Sequence, residues 1–366
     1  MADGVKVIVA MSGGVDSSVA AALLVEQGYD VTGVMLRLWS EPGKEESNRC
    51  CTPDAMAGAR RVASQLGIPF YALNAQNLFH STVVQAFMDG YRNGITPNPC
   101  ILCNSHIRWG FMYEAALEMG AQYMATGHYA RVVHQLDGSV QLLRGRDPAK
   151  DQSYVMSVLP QEKLRHTLFP VGELPKSEVR AHARRFGFSL AERADSQDLC
   201  FLAGQDYREF LARYVPEVTQ PGKMFRRDGS QVGEHRGLAF YTIGQRKGLG
   251  IAAPRPLYVL DKDVTANQLI IGDETELGLN GLASSDVNWI SGAAPAEPFE
   301  AQVKIRYRAD LAAAIVTPEG ESNIRIEFKN PLRDITVGQR VVIYNGDVVL
   351  GGGTIQSTFN PIREQA

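Results

Sequence analysis

Two groups of residues in this chain have the types and spacing to do chemistry. One is a serine- and glycine-rich turn near the start; the other is a set of cysteines in polar segments further on. The turn lies within V-K-V-I-V-A-M-S-G-G-V-D-S-S-V-A-A-A-L-L, residues 5–24. Ser12, Gly13 and Gly14 break a β-branched apolar run, and Asp16, Ser17 and Ser18 fall in the first turn of the alanine-rich helix that follows. A strand, a glycine turn and a helix N-terminus make an anion site, because unpaired N–H groups and the helix dipole point at one place. No lysine stands between Ser12 and Ser18, so the turn is not the G-x-x-x-x-G-K-[ST] phosphate loop. The bland alternative, a turn that merely packs helix on strand, does not account for Ser and Asp side chains gathered on the phosphate side.

The cysteines are Cys50, Cys51, Cys100, Cys103 and Cys200. Cys100 and Cys103 form a C-x-x-C in T-P-N-P-C-I-L-C-N-S-H-I-R, a stretch too proline-rich at its start to read as helical. That spacing fits redox chemistry, zinc or an iron–sulfur ligand set. Cys200 closes D-S-Q-D-L-C, where Asp, Ser and Gln crowd a thiol that would otherwise read as a buried structural cysteine. The vicinal pair Cys50–Cys51 reads as packing beside the crevice.

The elements that must position these residues can be read in order. Residues 1 to about 140 alternate strand and helix patterns, predicting a parallel sheet with helices on both faces. Strands are expected at 5–9, 31–38, 70–73 and 122–125, and a helix at 53–66 ended by Gly67 and Pro69. Ligands of such sheets sit beyond the strands' carboxyl ends, which draws the Ser12 turn, Met35 and the A-T-G-H-Y-A-R stretch (125–131) around one crevice. Met35 either fills the core or stacks on a base; Gly127 would let backbone approach a nucleotide; His128 and Arg131 are within reach of phosphate. Leu174–Phe186 reads as a basic helix capped by Gly187, its Arg180, Arg184 and Arg185 tracking an RNA backbone or facing water. From about Pro221 short glycine-rich strands form a small, mostly β unit at 222–275. Period-two alternation from Trp289 onward, with a hairpin turn at Asn345–Gly346, predicts a closed barrel of about six strands. The expected units are 1–205 (with an RNA-contacting helical part from about 150), 206–280 and 281–360.

Composition narrows the class. With 366 residues the chain can hold two or three domains. A formal charge of −3 gives no whole-chain basic signal for nucleic acid. No apolar run approaches a bilayer span, the N-terminus lacks a signal-peptide pattern, and five cysteines are an odd number for a secreted scaffold, so the expected setting is cytoplasmic, without a membrane.

S-G-G-V-D-S-S resembles the pyrophosphate loop of the N-type ATP pyrophosphatases, which cut ATP between its α- and β-phosphates. With T-P-N-P-C-x-x-C-N, A-T-G-H-Y-A-R, D-S-Q-D-L-C-F, Y-T-I-G-Q-R-K-G-L-G (241–250) and L-G-G-G-T-I in the same order, the chain resembles the bacterial-type tRNA-specific 2-thiouridylases from Val5 to Ile355. The resemblance implies a Rossmann-like α/β catalytic domain followed by the small β unit and the barrel. It implies ATP-dependent replacement of the C2 oxygen of the wobble uridine by sulfur in the tRNAs for Lys, Glu and Gln. Ala10, Met11, Ser12, Gly13, Gly14, Val15, Asp16, Ser17 and Ser18 would hold ATP, with Asp16 touching Mg2+ and with Met35 and Gly127 bordering the nucleotide. Cys200 would carry sulfur as a persulfide and Cys103 would be its partner nucleophile. Asn98, Pro99 and Cys100 would line the flipped-out base, and His128, Lys150, Asp151, Gln152, Arg306, Tyr307 and Gln339 match positions that touch tRNA. Some relatives have Asp in place of Cys100. A cysteine there adds a third thiol, so that Cys100, Cys103 and Cys200 could together hold a [4Fe-4S] cluster. The sulfur would come from an upstream relay protein or a cysteine desulfurase. The rivals are an adenylating ligase or amidotransferase for a small molecule, and a non-catalytic RNA binder. The first would need an ammonia source that no segment here resembles; the second leaves the placed cysteines unexplained.

Overall fold

The computed structural model describes residues 4–44, 52–193 and 199–360. Cys50, Cys51 and the D-S-Q-D part of the Cys200 motif lie outside them. The β-branched run forms β1 (Lys6–Ala10), followed by α1 (Val15–Glu26), β2 (Asp30–Arg37), α2 (Pro53–Leu66) and β3 (Phe70–Asn74). With β4 (Tyr123–Thr126) and a two-residue strand at Thr167–Leu168 they build a parallel sheet of order β3-β2-β1-β4 and then the short strand. Chain order reverses between β1 and β4, so the crevice opens beyond their carboxyl ends, where α1 begins. Val19, Ala20, Ala21 and Ala22 of α1 are fully buried, and their small size lets the helix lie close to the sheet.

The small unit is a four-stranded mixed sheet built from Gly222–Phe225, Gln231–His235, Tyr258–Asp263 and Gln268–Gly272. The C-terminal strands Leu279–Trp289, Phe299–Lys304, Ala312–Pro318, Ile324–Leu332, Arg340–Asn345 and Val348–Phe359 close on themselves, the first pairing with both the fourth and the last. The expected six-strand barrel is therefore present, with Gly346 at φ +57° in the hairpin turn.

A hairpin of the first unit, Ala130–His134 with Val140–Arg144, continues the barrel sheet by pairing Leu142 and Leu143 with Val349 and Val348. The first unit and the barrel thus share one sheet, a connection absent from the sequence reading.

One expectation fails. The C-x-x-C is helical from Pro99: an α-turn Pro99–Leu102 runs into a π-helical stretch Cys103–Met112. Proline at the first helical position costs nothing, since its missing N–H would be unpaired there and its φ suits a helix. Only 96–98 is a loop.

Candidate active site

Residues 11–14 join β1 to α1. Gly13 has φ +73°, and a Cβ there would lie 2.4 Å from the Ala55 carbonyl oxygen at the start of α2. Gly14 is the extended N-cap of α1 and supplies no side-chain cap, so the leading N–H groups of the helix point out of its end. The serine hydroxyls shape this turn from inside. Ser17 Oγ accepts from the Ser12 N–H at 3.1 Å and donates to the Gly14 carbonyl at 3.2 Å; Ser18 Oγ donates to the same carbonyl at 2.9 Å. Ser17 and Ser18 are buried and Ser12 is exposed, so what the turn offers an anion is backbone and the Ser12 hydroxyl.

Asp16 is the outward-facing member. Its Oδ1 accepts from the Tyr129 hydroxyl at 2.7 Å, and Lys176 Nζ donates to Oδ1 and Oδ2 at 2.7 and 2.9 Å. The Lys176 ammonium lies 5.7 Å from the Tyr129 ring centroid, and Arg193 donates to the Gly13 carbonyl at 3.2 Å. Two cations thus stand at the turn, and the sequence reading named neither as a site residue. Their distance along the chain hid them; a lysine just after Pro175 at a helix start was the only local signal.

Gly127 and Met35 have packing roles in this arrangement. A Cβ on Gly127 would come 2.6 Å from Ser17 N, so the end of β4 touches the first turn of α1 directly. Met35 is 1 % exposed, in the core between the sheet and α1.

At the sulfur end, Cys100 is exposed, and Cys103 and Cys200 are half-buried. Cys103 starts the π-helical stretch, and Cys200 opens a 3-10 turn, Cys200–Leu202. Both pack against one apolar cluster that includes Phe79, Phe87, Ile107, Phe201 and Phe210. Residues 97 apart in sequence therefore share one side of the molecule. Among the described residues no group of three or more His, Cys, Asp or Glu side chains, these thiols included, is placed to hold a metal ion.

Several expected tRNA contacts turn inward. His128 is buried, with Nδ1 2.8 Å from Thr126 Oγ1 and Nε2 2.8 Å from Arg108 Nη1. Burial first and the Arg108 charge second hold its pKa well below the usual histidine value. The ring is neutral, with Nε2 accepting from Arg108 and Nδ1–H donating to Thr126. An unfolded chain takes up this proton near pH 6.5, and the folded one only at lower pH. His128 therefore contributes stability that is present above about 6.5 and lost as pH falls toward the folded pKa, by at most about 1.4 kcal/mol per pH unit. In urea titrations from pH 7.5 to 5.5, His128→Gln should accordingly flatten the fall in stability below pH 6.5; an unchanged slope would contradict the neutral, buried ring.

Asp151 is buried too, its carboxylate accepting from the Gly145 and Ser153 N–H groups at 3.0 Å each and facing Arg144 Nε at 3.3 Å. Gln152 exchanges hydrogen bonds with the backbone of Tyr129. Lys150 stays in the same turn, half-buried. Arg306 pairs with Asp334, and Tyr307 is 39 % exposed, its ring 6.0 Å from that of Tyr154. Burial raises the Tyr307 phenol pKa, with the negative charge of Asp151 adding to it. The arginines of the basic helix (Lys176–Arg185) have partners within the protein: Arg180 donates to the Ala191 and Arg193 carbonyls, while Arg184 and Arg185 form exposed pairs with Glu192 and Glu26.

This geometry can be set beside known proteins. Family models match three consecutive segments: a tRNA methyl transferase HUP domain at residues 5–204, a tRNA methyl transferase PRC-barrel domain at 208–273 and an aminomethyltransferase beta-barrel domain at 279–355. The tRNA-specific 2-thiouridylase MnmA of Symbiobacterium thermophilum is 48% identical over 97% of this chain and 93% of its own. That of Carboxydothermus hydrogenoformans is 47% identical over 96% and 97%. The chain belongs to the tRNA-specific 2-thiouridylase family. It is accordingly an enzyme of the sulfurtransferase class. A third 2-thiouridylase, from Natranaerobius thermophilus, is 44% identical over 96% of this chain and 97% of its own. Among the described residues no helix is long and apolar enough to cross a membrane.

Proposed function

We propose that this chain uses ATP to replace the C2 oxygen of the wobble uridine of tRNA (those for Lys, Glu and Gln) by sulfur, through a persulfide on Cys200. The observation that carries this reading is that two half-sites lie beyond the carboxyl ends of one parallel sheet: the anion-binding start of α1 after β1, and the apolar cluster, with Leu38 after β2 and Ala75 after β3, that holds both Cys103 and Cys200. A uracil C2 carbonyl is a weak electrophile and oxide a poor leaving group. Joining that oxygen to AMP, with release of pyrophosphate, makes it a good one. The backbone N–H groups at α1 bind the phosphates, and Lys176 and Arg193 offset charge on the departing pyrophosphate. Asp16 is the residue suited to Mg2+, which when bound would neutralise phosphate charge. Cys200 receives sulfur from a relay protein or a cysteine desulfurase. The Cys200 persulfide then attacks C2, AMP departs with the oxygen, and the Cys103 thiolate attacks Cys200 Sγ. That breaks the S–S bond, leaves the new sulfur on C2 and forms a Cys103–Cys200 disulfide, which a cellular thiol reduces. Asn98–Cys100 border the flipped base, and Tyr307 offers it a stacking face. In the same reading the chain divides at about 205 and 280, works in the cytoplasm, and uses no [4Fe-4S] cluster.

Pyrophosphate release separates this from a small-molecule ligase. It should rise at least about 100-fold on adding unmodified tRNA, an activation typical of binding energy used to assemble a site. Release that ignores tRNA and responds to a small acid or amide would overturn the assignment. Iron analysis after anaerobic purification should find substoichiometric iron in active enzyme; activity that tracks iron content would contradict the persulfide route.

A further inference from the structure

The loop that leads into the C-x-x-C helix carries a particular backbone problem. Thr96 and Pro97 both have carbonyls that need donors, yet Pro97 and Pro99 supply no N–H to the neighbourhood. The barrel fills the gap. Gln339 Nε2 donates to the Thr96 carbonyl at 2.8 Å and reaches the Pro97 carbonyl at 3.3 Å. The Thr96 N–H donates back to the Val337 carbonyl at 3.3 Å. Between them Gly338, at φ +87°, lets Ile95 seat against the barrel: a Cβ at 338 would lie 1.9 Å from Ile95 Cγ2 and 3.1 Å from the Thr96 oxygen. One residue on, Asn98 hydrogen-bonds the Tyr154 hydroxyl, which itself donates to the Arg340 carbonyl at 2.6 Å. Gln339 is in turn held in its strand-end turn by the Ile355 N–H on its carbonyl at 2.9 Å.

We propose that Gln339, with Gly338, is a positioning residue: the C-terminal barrel clamps residues 95–98 and so fixes where Cys100 and Cys103 stand relative to the reacting base. The amide that family resemblance assigns to tRNA here donates to the protein's own loop. The barrel is then part of the catalytic apparatus as well as a docking surface. This proposal rests on the thiolation reading for its consequence in turnover, but the clamp itself does not.

The test uses the full chain with Gln339→Met, which keeps the bulk and removes both donors, and Gly338→Ala, which pushes on the loop from the other side. Backbone hydrogen exchange without tRNA should speed up at residues 95–103 by about 10-fold or more, with the rest of the barrel unchanged. The kcat for thiouridine formation should fall by about 10- to 100-fold, as a roughly 1 Å misplacement of reacting groups would cause, while KM for tRNA stays within about 2-fold. Unchanged exchange with a raised KM would overturn the clamp in favour of a direct tRNA contact. Faster exchange throughout the barrel would overturn it in favour of a general structural role, and local exchange without a fall in kcat would remove its catalytic consequence. If the unaltered enzyme forms no thiouridine, the functional reading fails and the exchange result alone decides the clamp.

Discussion

Cys200→Ser removes thiolation of tRNA, by about 10⁴-fold or more, while tRNA-dependent pyrophosphate release continues. The reason is chemical. A serine oxygen cannot take up a sulfane sulfur, so nothing is carried to the activated C2, yet adenylation needs only the phosphate turn and the base. The substitution exchanges one small side chain for another at a half-buried position that opens a 3-10 turn, so the fold should tolerate it. Residual adenylated tRNA would then accumulate or hydrolyse back to uridine, giving pyrophosphate without 2-thiouridine. Mass spectrometry of the nucleosides with a parallel pyrophosphate assay reads both. Thiouridine at the ordinary level would take Cys200 out of the mechanism. Loss of both products would mean that Cys200 supports the adenylation site instead. Cys103→Ser should differ: Cys200 still takes up sulfur and attacks the activated C2, so the reaction stops one step later, at a covalent Cys200–S–S–tRNA adduct detectable by mass.

The second large effect belongs to Asp16. Asp16→Ala should lower tRNA-dependent pyrophosphate release by about 10²–10³-fold, the scale seen when one electrostatic element of a reacting site is removed. Asp16 holds Lys176 by both oxygens and takes the Tyr129 hydroxyl as well. Removing it frees a lysine whose side chain is only 11 % exposed, so part of the loss comes from a displaced cation rather than a missing carboxylate. Lys176→Met should show a comparable loss, and the double variant should be little worse than either single one, because the two act as a unit. Steady-state release at saturating ATP and tRNA measures all three. Additive losses would mean that Asp16 and Lys176 act independently.

What the sequence disclosed was local. A β-branched run, a glycine pair and an alanine-rich helix suffice to specify β1, the turn and α1, because each step is decided by neighbours. Period-two alternation and Asn345–Gly346 did the same for most of the barrel. Its first strand, Leu279–Trp289, carries Gly, Ser, Asp and Asn, and Asp286 takes φ +52° at an irregularity in pairing, so no strand pattern announced it. The helical C-x-x-C was missed because proline was weighed as a breaker without asking whether it sat at a first turn. The remaining misses are long-range. Lys176 meets Asp16 across 160 residues, Arg193 meets Gly13 across 180, and Gln339 meets Thr96 across 243. His128 is kept neutral first by burial and then by Arg108, 20 residues upstream on a different element. Charge and hydrogen-bonding capacity were legible in these side chains; the direction each faces was decided by tertiary packing.

The account depends most on the fate of one oxygen atom. Unmodified tRNA bearing 18O at C2 of the wobble uridine, incubated with ATP and a sulfur donor, should yield 2-thiouridine and AMP carrying one 18O per thiolation. AMP without the label, alongside 2-thiouridine formed at the normal rate, would contradict adenylation of the uracil oxygen and with it the proposed role of the phosphate turn.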